Sequence, residues 1–380
     1  MPLHLDIMDV GQGDGMVVWL PNGKVMMVDL GSTKNKDLVT ADIFKYFNDH
    51  TDFGRQCDPV GLEWLVLTHG DRDHYNMVEL FLERFKVDVR NVLHGGLEAD
   101  YGGLIGRLRQ RQNQDGTYPY IQTGTADSGF FPLLGLGADV TVLALGVEAG
   151  STDIAYKKNT RSVVLRIVYQ GVGLMLTGDA TGVTEEQIIG ETSRLCQNNR
   201  ALTPQGILGA AVLKIAHHGS HRTSNRAVWL GLVNPTFAFI SSDRSGSLDE
   251  TEKPTGHRLP QALTMELLER YAPALCRDCG RHSYVVAYQR SDYEQYNSAP
   301  DIPNDKPLEI PACADQWIQK SGTEGIFSTL ATMGISKDPN DPGAADAGVQ
   351  YRVSIWDDGS LKIYPTECDW GLTLSSPAAS

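Results

Sequence analysis

Residues 65–79 read LVLTHGDRDHYNMVE, an apolar run that stops at two histidines and two aspartates within six positions. The residues before them, EWLVLTH (63–69), read as a short buried strand. After them Met77, Leu80, Phe81 and Phe85 recur at helical spacing, so a helix follows. His69, Asp71, Asp73 and His74 therefore stand where a strand gives way to a helix, a usual place for function in α/β architectures. One polar residue at a strand end is ordinarily a satisfied turn residue. Four imidazole and carboxylate groups together are the donor set of a metal site.

The same design returns further along. SVVLRIVYQGVGLMLTGD (162–179) reads as two strands around Gln170-Gly171, ending in Asp179. A helix begins next, with Thr184 and Gln187 at capping-box spacing. AVLKIAHHGSH (211–221) ends an apolar strand in His217 and His218, and TFAFISSD (236–243) ends one in Ser241, Ser242 and Asp243. If these ends gather at one edge, they form a single site of mixed imidazole and carboxylate. Such a set suits Zn, Mn or Fe better than Ca or Mg. A carboxylate able to bridge two ions, with ligands for each beside it, is the design of two-metal hydrolases.

The remaining pattern supplies a frame. LHLDIMDV puts Leu3, Leu5 and Ile7 on one face, GQGDG is turn chemistry, and MVVWL–PNGK–VMMVDL reads as a hairpin. Residues 95–155 read as Gly-rich and irregular, with one helix at about 103–113. Arg107, Arg109 and Arg111 on that helix are either a solvated face or phosphate contacts. A helix is expected over roughly 259–271, and HSYVVAYQR (282–290) as a strand. SAPDIPNDKPLEIPAC is Pro-rich, and VQYRVSIWDDGSLKIYP alternates around Asp358-Gly359 as a hairpin. These features divide the chain near residue 290, into 1–290 and a 291–380 extension of linker and hairpin.

Composition bounds the function. With 41% hydrophobic and 21% charged residues among 380, the chain is an ordinary globular protein. A net charge of −14 argues against gripping long duplex DNA, which needs a broad basic surface. It leaves room for a nucleotide or phosphodiester, because bound divalent cations bring local positive charge. No apolar run approaches the ~20 residues of a membrane span, and no secretory leader opens the sequence, so a cytoplasmic protein without membrane contact is expected. Six cysteines do not form a disulfide framework; Cys276 and Cys279, with His282 behind them, make at most half a zinc site.

LTHGDRDH resembles the metal-binding signature of the metallo-β-lactamase superfamily, in its HxDxDH form. With DVGQGD (9–14), VDLGS (28–32), NTRSVVL (159–165), LMLTGDA (174–180) and LKIAHHGS (213–220), it is similar to the hydrolase domain of ComEC-like competence DNA-uptake proteins, over about residues 1–290. The resemblance implies an α/β fold, an αββα sandwich with the site along one edge. Position by position it implies that His69 and Asp71 bind a first ion, and Asp73, His74 and His217 a second, with Asp179 bridging. It gives Asp73 and His218 a part in catalysis as well, and His257 a role in substrate contact or proton transfer, with Lys214 and Ser220 as support. Asp14 and Asp29 read as hairpin residues that support the site through hydrogen bonds. The third histidine of the superfamily has no counterpart: Asn159 stands there, and His94 is the other candidate. The first site is thereby weakened, and a single-ion centre is an alternative.

The function expected on this resemblance is a metal-dependent hydrolase with two Zn or Mn ions, a phosphodiesterase or nuclease acting on single-stranded DNA, a nucleotide or another phosphoester. One alternative is a hydrolase of lactones, thioesters or β-lactams on the same residues. Another is a non-catalytic metal- or nucleic-acid-sensing module. The oligomeric state is left open, a homodimer included.

Overall fold

The computed structural model of the chain describes residues 1–32 except 9, 11 and 12, then 47, 61–124, 129–235 and 237–241. It also describes short pieces between 247 and 332, then 349–365 and 372–374. The first half supplies β1 (Leu3–Met8), β2 (Gly15–Trp19), β3 (Val25–Leu30), β4 (Leu62–Leu67), β5 (Val89–His94) and β6 (Tyr120–Thr123). Then follow β7 (Phe131–Leu133), β8 (Asp139–Ala144), β9 (Val164–Tyr169), β10 (Val172–Leu176), β11 (Val212–Lys214) and β12 (Phe237–Ser241). Two short ladders pair β13 (Ser247–Leu248) with β14 (Pro254–Thr255) and β15 (Ala287–Gln289) with β16 (Ile326–Ser328). The last strands are β17 (Ala331–Thr332), β18 (Val349–Ile355), β19 (Leu361–Pro365) and β20 (Leu372–Leu374).

They form two large sheets. The first runs β20-β19-β18-β1-β2-β3-β4-β5-β6 and the second β17-β12-β11-β10-β9-β8-β7. Alternation along each strand decides what each face meets. Leu3, Leu5, Ile7, Met26, Val28, Trp64 and Val66 point into a core shared with Val140, Val142, Leu165, Ile167, Leu174 and Val212 of the second sheet. The intervening residues Val25, Met27, Leu65 and Leu67 point the other way, onto α2 (Val78–Phe85) and α3 (Leu104–Gln110). On the far side Val164, Met175 and Leu213 meet α5 (Gly182–Asn198) and α6 (Ala227–Val233) through Ile188, Trp229 and Leu230. Each such side chain contributes about 1.5–3 kcal/mol by burial. Helices, sheet, sheet, helices: the molecule is an αββα sandwich.

The topology fixes where chemistry collects. β3, β4 and β5 run parallel, as do β10, β11 and β12, so the carboxyl ends of both sets open on one edge of the sandwich. The donor clusters thus come from two facing sheets rather than from one.

Several local expectations change. Residues 95–155 contain β6, β7 and β8, hidden in the sequence by Pro119, Pro132 and a high glycine content. The helix after Asp179 starts a turn earlier, with Thr181 as its N-cap. Thr184 lies inside it, and its hydroxyl donates to the Thr160 carbonyl at 2.7 Å. The expected C-terminal hairpin is present as β18–β19, and β18 pairs antiparallel with β1 as part of the first sheet. Arg352 grips the buried Asp6 through two 2.6 Å bonds, and the Trp19 indole donates to the same carboxylate at 2.8 Å. The boundary near 290, the Cys276–Cys279 pair, His282 and most of the 259–271 helix lie outside the described residues.

Candidate metal centre

The strand-to-helix junction after β4 is built by close backbone approach. Asp71 is the extended N-cap residue of α1 (Arg72–Tyr75), a single turn that carries Asp73 and His74. The Asp73 carbonyl accepts from the Asp14 backbone N–H at 3.1 Å, which seats the turn on the β2–β3 hairpin. A Cβ on Gly31 would lie 2.5 Å from the Asp73 carbonyl carbon, so the glycine of VDLGS is what lets α1 come this near. Gly178 has the same task at φ +51, where a side chain would meet Thr68 at 2.7 Å. It brings Asp179 in from the second sheet.

At this edge His74 Nε2 lies 3.4 Å from Asp179 Oδ1. His218 Nε2 lies 3.3 Å from Asp179 Oδ2 and 3.4 Å from Asp73 Oδ2. His69 shares a second convergent set with His74 and Asp179. His74 Nε2, His218 Nε2 and Asp179 Oδ1 are buried and have no hydrogen-bond partner. Buried polar atoms are normally satisfied, so orphans that converge call for a missing partner, here a cation. The remote ring nitrogens are already held. His74 Nδ1 donates to Asp29 Oδ2 at 2.8 Å, and His218 Nδ1 donates to the Ser241 carbonyl at 2.5 Å. Asp29 is fixed in turn by the Thr68 amide and hydroxyl, at 2.7 and 2.5 Å. This is how metal-binding histidines are oriented. A divalent cation fits among Asp73, His74, Asp179 and His218.

Electrostatics agree with that fit. Burial alone would lower the His74 imidazole, but Asp179, Asp14 and Asp29 outweigh it and hold it well above its ordinary value. Burial also opposes charge on His218, yet Asp179 and Asp73 carry it up to about 9. Burial would raise Asp73 and Asp179. The nearby His218 and His74 imidazoles bring Asp73 down to about 2, and the same two rings hold Asp179 well below the usual range.

The two adjacent histidines divide. The sequence reading gives His217 the second site and His218 a supporting role; the geometry sets His218 beside Asp73 and Asp179. Both residues are left-handed, at φ 49 and φ 50, and the planes of their rings stand 72° apart. His217 pairs with the Thr223 hydroxyl at 2.6 Å and stands 3.9 Å from Asp179. Burial brings it down to about 4, so it is neutral.

Other candidates fall into place around this core. Lys214 is fully buried, 2.6 Å from Asp14 Oδ2 and 3.5 Å from Asp179 Oδ1, and it donates to the Gly178 carbonyl at 2.7 Å. Burial lowers its ammonium, but Asp14 and Asp179 hold it above its ordinary value. The Ser220 and Thr223 hydroxyls pair at 3.0 Å. His94 is buried against Tyr101 and belongs to none of the convergent sets among the described residues. Arg107 pairs with Glu79, Arg109 with Glu98, and Arg111 donates to the Leu82 and Val87 carbonyls. These arginines make a helix surface, away from the donor set. His257, Ser242 and Asp243 lie outside the described residues.

Sequence reasoning missed Asn225 and Glu185. The Asn225 side chain accepts from the Ala216 amide and donates to the Ala216 and Ser220 carbonyls, clamping the histidine loop. Glu185 holds the Asn225 and Arg226 amides at 2.6 and 3.1 Å. Glu185 acts across 40 residues of chain, and the Asn225 clamp closes a loop whose shape no local pattern marks.

The sequence model of the Metallo-beta-lactamase superfamily matches residues 8–228. The chain belongs to that superfamily. Its members are generally metal-dependent hydrolases. Among curated proteins it is similar to ComE operon protein 3 of Bacillus subtilis, with 22% identity over 285 residues, 72% of this chain and 31% of that protein. It is also similar to Competence protein ComA of Neisseria gonorrhoeae, with 37% identity over 84 residues, 22% of this chain and 10% of that protein. The chain thus spans a third or less of these relatives. Their names accord with the ComEC-like motifs. Among solved structures, the metallo-beta-lactamase fold protein YhfI from Bacillus subtilis covers 63% of this chain at 13% identity. The match takes in 84% of YhfI, with a TM-score of 0.38. No helix among the described residues is long and apolar enough to cross a membrane.

Proposed function

We propose that this superfamily hydrolase is a phosphodiesterase or nuclease, acting on single-stranded DNA, a nucleotide or another phosphoester. The observation that carries a hydrolytic site is the convergence of orphaned buried atoms of His74, His218 and Asp179 beside Asp73. The ComEC-like motifs and the competence relatives favour the phosphodiester substrate. The net charge of −14 favours a short or single-stranded one over a long duplex.

When bound, a divalent cation supplies Lewis acidity and neutralises charge building on the phosphoryl oxygens. The chain's own residues prepare the place. Asp29 and the Ser241 carbonyl fix the rings of His74 and His218 so that their Nε2 atoms face the site. Lys214 neutralises Asp14 and steadies Asp179. His257, on the resemblance, would give a proton to the leaving group.

The test is turnover of bis(p-nitrophenyl) phosphate and a labelled single-stranded oligonucleotide, with Mn or Zn, beside nitrocefin and a lactone. Phosphodiester cleavage that Asp179→Asn abolishes is the expected result. Cleavage of nitrocefin or the lactone alone would replace this reading with carbonyl hydrolysis.

A further inference from the structure

The superfamily design has room for two ions, and the two places are not equally prepared in this chain. The first would draw on His69, Asp71 and the residue at 159. Asp71 is already engaged at both oxygens. Its Oδ1 lies 3.2 Å from the Lys158 ammonium, which also donates to the Gly70 carbonyl at 3.2 Å. Its Oδ2 accepts from the Asn159 amide at 3.0 Å, once that amide is oriented to satisfy its neighbours. In the same orientation the Asn159 oxygen accepts from His217 Nε2 at 3.3 Å, so the nearest spare imidazole has its nitrogen occupied.

Lys158 and Asn159 reach this place because they sit in the last turn of α4 (Ile154–Thr160). The start of that helix is pinned by Asp153, whose side chain accepts from the Ala155 and Tyr156 amides. Of the first-position residues, His69 belongs to a convergent donor set, but with His74 and Asp179; Asp71 belongs to none among the described residues, and neither does His217, whereas Asp73, His74, His218 and Asp179 all do. An ion placed on Asp71 would have to share a carboxylate with a cation already bound, or expel it. Asn159, in place of imidazole, offers little to offset that repulsion.

We propose that this chain holds one divalent cation rather than two, and that the Lys158 ammonium, bound to Asp71, supplies the charge of the missing one. The two-ion expectation for the superfamily does not fit the first position. The proposal deepens the hydrolase reading and rests on it for the cation at the second position.

Metal content decides it without reference to turnover. The full chain, stripped and reconstituted with Mn or Zn, is passed over a sizing column. Ions per chain are then counted by plasma mass spectrometry and native mass spectrometry. Wild type and Lys158→Arg should each retain one. Lys158→Met combined with Asn159→His removes the resident charge and restores an imidazole, and should retain two. Two ions on the wild-type chain would overturn the proposal and leave the hydrolase reading intact. A count fixed at one in the double variant would also overturn it, because Lys158 would then not be what excludes the second ion. No bound ion in any form would sink both readings.

Discussion

Asp6 and Asp179 are both buried acids, and they are finished in opposite ways. Asp6 lies at the seam of β1 and β18, and its oxygens are met by the Arg352 guanidinium and the Trp19 indole. Asp179 lies at the open edge of the sandwich, where one of its oxygens and the facing histidine nitrogens have no hydrogen-bond partner. A buried carboxylate closed by protein donors holds the fold together. One left open among imidazoles, with the other face of each ring anchored, is prepared for a ligand from outside. The cost of desolvation is met by the chain in the first case and by a cation in the second.

The largest effect that could break this contrast is at Asp179. Asp179→Asn keeps the shape but removes the charge on which His74 and His218 converge. It should lose bound metal and lower turnover by about 10³-fold, the equivalent of several kcal/mol of transition-state stabilisation. Retained metal and turnover would mean that the open edge is structural too. At the closed seam, Arg352→Leu should cost about 3–5 kcal/mol in urea unfolding by leaving Asp6 uncompensated, with metal content unchanged. Loss of metal there would erase the distinction.

The histidine pair sharpens the comparison at single-residue scale. His218→Ala should weaken metal binding by more than His217→Ala, the former by at least about 10–100-fold in calorimetric titration. The reverse order would return the site to His217.

A smaller effect concerns the scaffold behind the loop. Burial pushes Glu185 up to about 7 from an ordinary 4.5, against the pull of its two backbone amides. The folded state therefore holds that proton more tightly than the unfolded chain. Its stabilisation is complete below about pH 4.5 and is lost as pH rises through about 7, on the order of 3 kcal/mol in all. Glu185→Gln should flatten stability between pH 5 and pH 8 in urea midpoints. An unchanged slope would show that Glu185 does not titrate there.

Much of this was legible in the sequence because it is local. A strand that ends in ligands announces itself, and His69, Asp71, Asp73, His74 and Asp179 do come to one edge. The β2–β3, β9–β10 and β18–β19 hairpins each carry their turn residues in plain view. What the sequence concealed is non-local or rotational. Nothing in HHGS says which ring turns inward, since that depends on two left-handed residues clamped by Asn225. The bond between Lys158 and Asp71 joins residues far apart in the chain, as does the pairing of β18 with β1. The strands from 120 to 144 were obscured by glycine and proline, although Val140 and Val142 alternate as strand residues should.

The central claim is that a cation belongs among Asp73, His74, Asp179 and His218. The most direct measurement is an anomalous difference map from crystals grown with Mn. A peak bounded by those four side chains is the predicted result. A peak centred on His217 and Asp71 instead, or no peak at saturating Mn, would contradict the account.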